Sequence, residues 1–156
     1  MAGRAGRANI PGEVVIQTYK PEHYAIRAAA IQDYRAYFEE EFSRRRARLY
    51  PPFTTIARFL CEGDDGASAM QGAEALSEGV RQYFEVHPAL KKRLLFMRTD
   101  EAPISFIQGR YRAQVLMKLL KHPDSETILS ALQSMTAMPL PNGVRACLEI
   151  NPASLA

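Results

Sequence analysis

Apolar residues recur along this chain in two rhythms. From Pro21 onward, Ile26, Ala30, Tyr34, Phe38 and Phe42 repeat at i+4 with Tyr37 beside them, the single stripe of an amphipathic helix. The pattern predicts one long helix ending in "SRRRARLYPPF", where Pro51 and Pro52 cannot continue it. Ahead of it, "GEVVIQTY" reads as a short buried strand from Val14 to Thr18, introduced by the Pro11-Gly12 turn. One strand and one helix cannot enclose a core. Residues 1–49 therefore read as the edge of something larger, with a domain boundary before Tyr50.

Beyond the prolines the second rhythm, alternation, takes over. "TTIARFLCE" is a β-branched, apolar strand, and "DGASAMQGAEALSEGVRQYF" follows as a helix with Ala69, Ala73, Leu76, Val80 and Phe84 on one face. "LLFMR" and "PISFIQ" make an interrupted second strand, and Gln108-Gly109 turns the chain into a third, "RYRAQVLMKLL". Asp124 or Ser125 caps a second helix carrying Ile128, Leu132 and Met135, "PLPNG" breaks it, and "VRACLEI" is the last strand. The order βαββαβ over residues 50–156 predicts an α+β, ferredoxin-like sandwich, an antiparallel sheet with both helices on one face.

Strand parity then sorts the side chains. Tyr111, Ala113, Val115, Met117 and Leu119 alternate with Arg110, Arg112, Gln114, Leu116 and Lys118, and Val144, Ala146, Leu148 and Ile150 with Arg145, Cys147 and Glu149. With the apolar sets facing the helices, Tyr111 is expected to pack in the core. The open face then gathers Arg58, Arg110, Arg112, Lys118 and Arg145, diluted by Glu62 and Glu149. This pattern fits a solvated sheet face and equally a platform for nucleic acid. The run Arg44, Arg45, Arg46 and Arg48 has two readings as well: phosphate contacts, or cations favoured by the C-terminal helix dipole.

Composition narrows the class. The 156 residues are 47% hydrophobic and 24% charged, the balance of a soluble domain, with net charge +3 and a pI near 9.0. No run approaches the roughly 20 apolar residues of a membrane-spanning helix. The two cysteines, Cys61 and Cys147, suit a reducing, cytoplasmic setting and exclude a disulfide scaffold or zinc ribbon. His23, His87 and His122 stand singly, without metal-ligand spacing. No G-x-x-x-x-G-K-[ST] loop occurs, so this chain alone is not expected to hydrolyse ATP. At the start, Gly3-Arg4 and Gly6-Arg7 stand three residues apart with no apolar run of signal-peptide length behind them.

Five segments, in order, carry a family resemblance: "AGRAGR" at 2–7, "PGEVVIQTYKPEH" at 11–23, "LYPPF" at 49–53, "GRYRAQVLMK" at 109–118 and "LEINPASL" at 148–155. The chain resembles the C-terminal part of the PriA family of bacterial replication-restart helicases, also called primosomal replication protein N′. The resemblance implies that residues 1–49 are the end of the second lobe of a superfamily 2 helicase motor. It makes Arg4 and Arg7 the motif arginines that face the nucleotide on the first lobe, where a guanidinium fork can stabilise charge on the departing phosphoryl group. Met1 stands where a small apolar residue is usual and reads as a start point inside a longer protein; Ala113 stands where relatives often have Trp.

The resemblance further implies a parent that is an ATP-dependent 3′-to-5′ DNA helicase, recognising stalled or branched forks and starting primosome assembly. ATP, magnesium and zinc would belong to that parent and not to this segment. Its partners would be branched and single-stranded DNA, the tail of single-stranded DNA-binding protein, and other primosome proteins, with no membrane. The segment itself would be a DNA-binding and docking module. Two other readings are a free-standing RNA-binding module and an acylphosphatase-like enzyme. The phosphate loop of the second should join the first strand to the first helix, whereas Gly109 in "IQGRYR" lies in a hairpin.

Overall fold

The computed structural model describes residues 14–154, together with the backbone of residues 6–7 and 10–11. The chain divides into two compact units, Met1–Arg44 and Arg45–Ala156.

In the first unit, β1 (Gly6–Arg7) and β2 (Ile10–Pro11) pair antiparallel. The strand expected from Val14 to Thr18 is not formed. These residues carry no regular secondary structure, with Val15 83% exposed. An apolar run gains strand structure only beside another strand, and none pairs with it among the described residues. The single long helix is also corrected to two, α1 (Tyr24–Ala30) and α2 (Tyr34–Ala47). Gln32 adopts φ 55°, the Asp33 N–H bonds back to the Ala28 carbonyl, and Asp33 Oδ1 accepts from the Ala36 N–H at 2.9 Å. A left-handed residue closes α1 and an aspartate cap opens α2, so the i+4 stripe spans two helices. Tyr34, Phe38 and Phe42 remain exposed along α2, with Phe38 stacked on Phe42 and tilted against Tyr34.

The second unit holds β3 (Thr54–Gly63), α3 (Gly66–Val86), the short α4 (Pro88–Lys91), β4 (Leu94–Ile107), β5 (Arg110–Leu120), α5 (Ser125–Met135) and β6 (Arg145–Ile150). The strands are antiparallel in the order β4-β5-β3-β6. This is the ferredoxin-like order, with the first and third strands of the βαββαβ unit at the centre. Asp65 opens α3 by accepting from the Ser68 N–H at 2.8 Å, and Gly109, at φ 78°, makes the β4–β5 turn. β4 runs unbroken where an interruption was expected. The irregularity appears as register shifts instead, between Leu94 and Phe96 and between Glu101 and Phe106. α4, with Pro88 in its first turn, was not anticipated.

The core lies between sheet and helices. Phe59, Cys61, Val115, Met117 and Leu119 meet Ala73, Leu76, Val80 and Phe84 of α3 and Ile128 and Leu132 of α5. Of the residues that parity turns toward the helices, Tyr111 and Ile150 stay exposed, at 42% and 41%; Tyr111 rests against Phe106 at the sheet's end. Asn151 closes the opposite end: its Oδ1 accepts from the Ile56 N–H at 2.9 Å and its own N–H donates to the Ile56 carbonyl at 2.7 Å. No described helix is long and apolar enough to cross a membrane.

Candidate nucleic-acid interface

Register fixes what shares the open face. One row crosses the sheet as Phe96, Lys118 and Ile56; the next as Arg98, Leu116, Arg58 and Glu149; then Asp100, Gln114, Leu60 and Cys147; then Arg112, Glu62 and Arg145. The structure thus brings the five expected cations onto one face. It adds Arg98 and Asp100, which the broken reading of β4 had hidden. Alternation of Phe96, Arg98 and Asp100 was the signal that could have revealed them.

The arginines are not bare. Arg58, 4% exposed, is held by Glu149 at 2.7 Å. Glu62 lies between Arg145 at 3.0 Å and Arg112 at 3.7 Å. Arg98 reaches Asp100 at 2.5 Å. Arg110 pairs with Asp64 and also donates to the Gly143 carbonyl at 2.6 Å and the Glu62 carbonyl at 3.3 Å. It ties the end of β3 to the turn before β6. Six cations therefore meet four carboxylates on and beside this face, leaving a modest positive excess. Among the described residues, Lys118 alone of the six has no carboxylate partner.

Lys118 sits instead over the Tyr50 ring, 4.3 Å from its centroid, and its Nζ donates to the Arg48 carbonyl at 3.4 Å. Around this pair is a cleft of about 430 Å³. Tyr50 and Phe96 wall it, Ile56 and Leu116 lie along it, and Arg48, Arg98 and Lys118 rim it. Tyr50 is placed by the turn that follows α2: its N–H donates to the Arg45 carbonyl at 2.8 Å, and Arg45 Nη1 donates to the Pro51 carbonyl at 3.2 Å.

Of the α2 run, Arg48 joins the sheet face at this cleft. Arg44 is bound to Glu40 at 2.7 Å and lies over the Tyr24 ring at 4.5 Å. Arg46 is exposed and carries no ion pair among the described residues. Arg4 and the side chain of Arg7 lie outside the described residues. No group of three metal-ligating side chains is assembled among the described residues. Burial pushes the Cys61 thiol up to about 12. Cys147 is raised chiefly by burial and then by Glu149 and Glu62, with Arg58 and Arg112 opposing. Neither is a ready nucleophile.

No family model matches the chain. It is 33% identical over 132 residues to replication restart protein PriA of Bacillus subtilis, covering 85% of this chain and 15% of that protein. With replication restart protein PriA of Haemophilus influenzae the identity is 31% over 158 residues, 100% of this chain and 20% of that protein. With PriA of Chlamydia muridarum it is 31%, over 97% and 19%. The chain thus spans only a fifth or less of the length of these relatives. Among solved structures, a dimeric ferredoxin-like protein from an uncultured marine organism superposes with TM-score 0.40 at 11% identity, over 62% of this chain and 92% of that one.

Proposed function

Because the chain belongs to the PriA family of replication restart proteins, we propose that it serves in such a protein as a DNA-contacting and partner-docking module. The observation that carries this reading is the collinear similarity, which runs from 85% to all of the chain. The open sheet face supports it with a surface whose cations outnumber its carboxylates. In the longer protein, residues 1–49 would close a helicase lobe, and Arg4 and Arg7 would serve ATP hydrolysis performed largely by residues outside this chain. Branched and single-stranded DNA would be the nucleic-acid partners; the tail of single-stranded DNA-binding protein and other primosome proteins would be the protein partners.

Phosphate contacts would dominate such a surface. Affinity should be weak for this chain by itself, insensitive to base sequence, and steeply reduced by salt. The test is a titration of fluorescent forked and single-stranded DNA at several salt concentrations, with the parent chain and a Lys118→Ala, Arg145→Ala double variant. The variant should bind both DNAs more weakly. Its salt slope on single strands should flatten by about 0.7 for each phosphate that is no longer neutralised. An unchanged affinity and slope would return the face to a solvated sheet surface.

A further inference from the structure

We propose that the cleft beside Lys118 is a stacking site for one unpaired nucleobase, with the flanking phosphates held by Arg48 and Lys118. The proposal rests on the DNA-contacting reading and assigns to it a particular place and ligand class: single-stranded DNA, engaged by ring faces as well as phosphates.

Three observations carry it. The cleft's volume, about 430 Å³, lies within the range of small-ligand sites, and its lining combines apolar walls with a few polar groups. Phe96 is 44% exposed on strand β4 and neighbours Lys118 across the ladder, so its ring stands at the cleft with a cation beside it. The lining residues also include three cations and no carboxylate, although one of the three, Arg98, is paired with Asp100 at 2.5 Å just outside the cleft. This contrasts with the far end of the same face, where Glu62 and Asp64 are already occupied by Arg112, Arg145 and Arg110. A phosphate approaching that end must compete with carboxylates held within a few ångströms. At the cleft it meets Lys118, whose charge is offset, among the described residues, by a ring face and a carbonyl.

The two kinds of contact belong together in a single-stranded ligand. A duplex hides its base faces, and a free phosphate has none. A ring such as Phe96 accepts any base, because every base has a π-face, so the site adds affinity without sequence preference. Tyr50 already holds Lys118 against one of its faces. Phe96 is therefore the stacking platform, and the Tyr50–Lys118 pair supplies the charged part of the lining.

The experiment compares a short oligothymidylate with an abasic oligomer of equal length, which keeps the phosphates and lacks the bases. The 156-residue chain should bind the oligothymidylate roughly five- to 150-fold more tightly, the span expected for one stacked base. Phe96→Ala should erase that preference while leaving affinity for the abasic oligomer and its salt slope unchanged. Phe96→Leu, which keeps apolar bulk at the site but not a flat ring, should erase it too. A thermal melt matching the parent's shows that either variant is folded. Equal binding of the two oligomers by the parent chain, still salt-dependent, would overturn the stacking site and leave the DNA-contacting reading standing. Failure to bind either oligomer, with binding of an oligoglutamate peptide that Phe96→Ala weakens, would overturn both and make the cleft a protein-docking groove.

Discussion

Arg110 and Arg145 hold equivalent positions in the alternating sequence pattern, yet their surroundings differ. Arg145 is 73% exposed in its side chain and, among the described residues, meets Glu62 alone, whereas Arg110 joins Asp64 and two backbone carbonyls from separate segments. Hydrogen bonds involving a charged group contribute more than exposed ion pairs. Arg110→Ala is therefore expected to lower stability by about 1–2 kcal/mol, and Arg145→Ala by less than about 0.5 kcal/mol. Urea unfolding of the two variants checks this, and equal losses would remove Arg110 from its tying role. Parity alone identified which residues share the face. It could not show that Arg58 is buried against Glu149, because that pairing joins residues 91 positions apart through strand register.

At the scale of elements, the two helices that pack on the sheet were legible because each carries a complete apolar face; α3 also has a side-chain cap, whereas Asp124, expected to cap α5, makes no capping hydrogen bond. Asp65 gives the cap of α3 a pH dependence. Its carboxyl is held below its ordinary value of 3.8, first by the Ser68 backbone N–H and then by the Ser68 hydroxyl. A folded value below the unfolded one means the contribution is fully present above pH 3.8 and is lost as pH falls through the folded value. Asp65→Ala should therefore lower the melting temperature at pH 7, and the gap to the parent should narrow below pH 3.8. A constant gap across that range would mean the ionised carboxylate is not what the variant loses. The N-terminal elements were misread for the opposite reason. Val14 to Thr18 have apolar character but no paired strand, and the i+4 stripe continues in phase across the left-handed Gln32 that ends one helix and the Asp33 cap that begins the next. Periodicity registers a face; it does not register a cap within it.

For the whole molecule, the boundary read at the prolines and the division of the structure differ by five residues. The last turn of α2 is the reason, since Tyr50, Pro51 and Phe53 are hydrogen-bonded through Arg45 and Tyr50. Helix α2 has no buried residue and carries several arginines. Limited trypsin digestion should cut within it and leave a resistant product beginning between Arg45 and Tyr50; a product protected from residue 14 onward would contradict this division.

The central functional proposal is that DNA lies on the open sheet face. Amide chemical-shift mapping of the isotopically labelled chain during titration with single-stranded DNA tests it most directly. The shifts should follow one surface, from the turn at residues 48–50 across Phe96, Arg98, Leu116 and Lys118 toward Arg58 and Arg145, with α3 and α5 unmoved. Shifts concentrated on the exposed faces of α3 and α5, with the sheet unaffected, would place DNA on the opposite side of the domain and contradict the account.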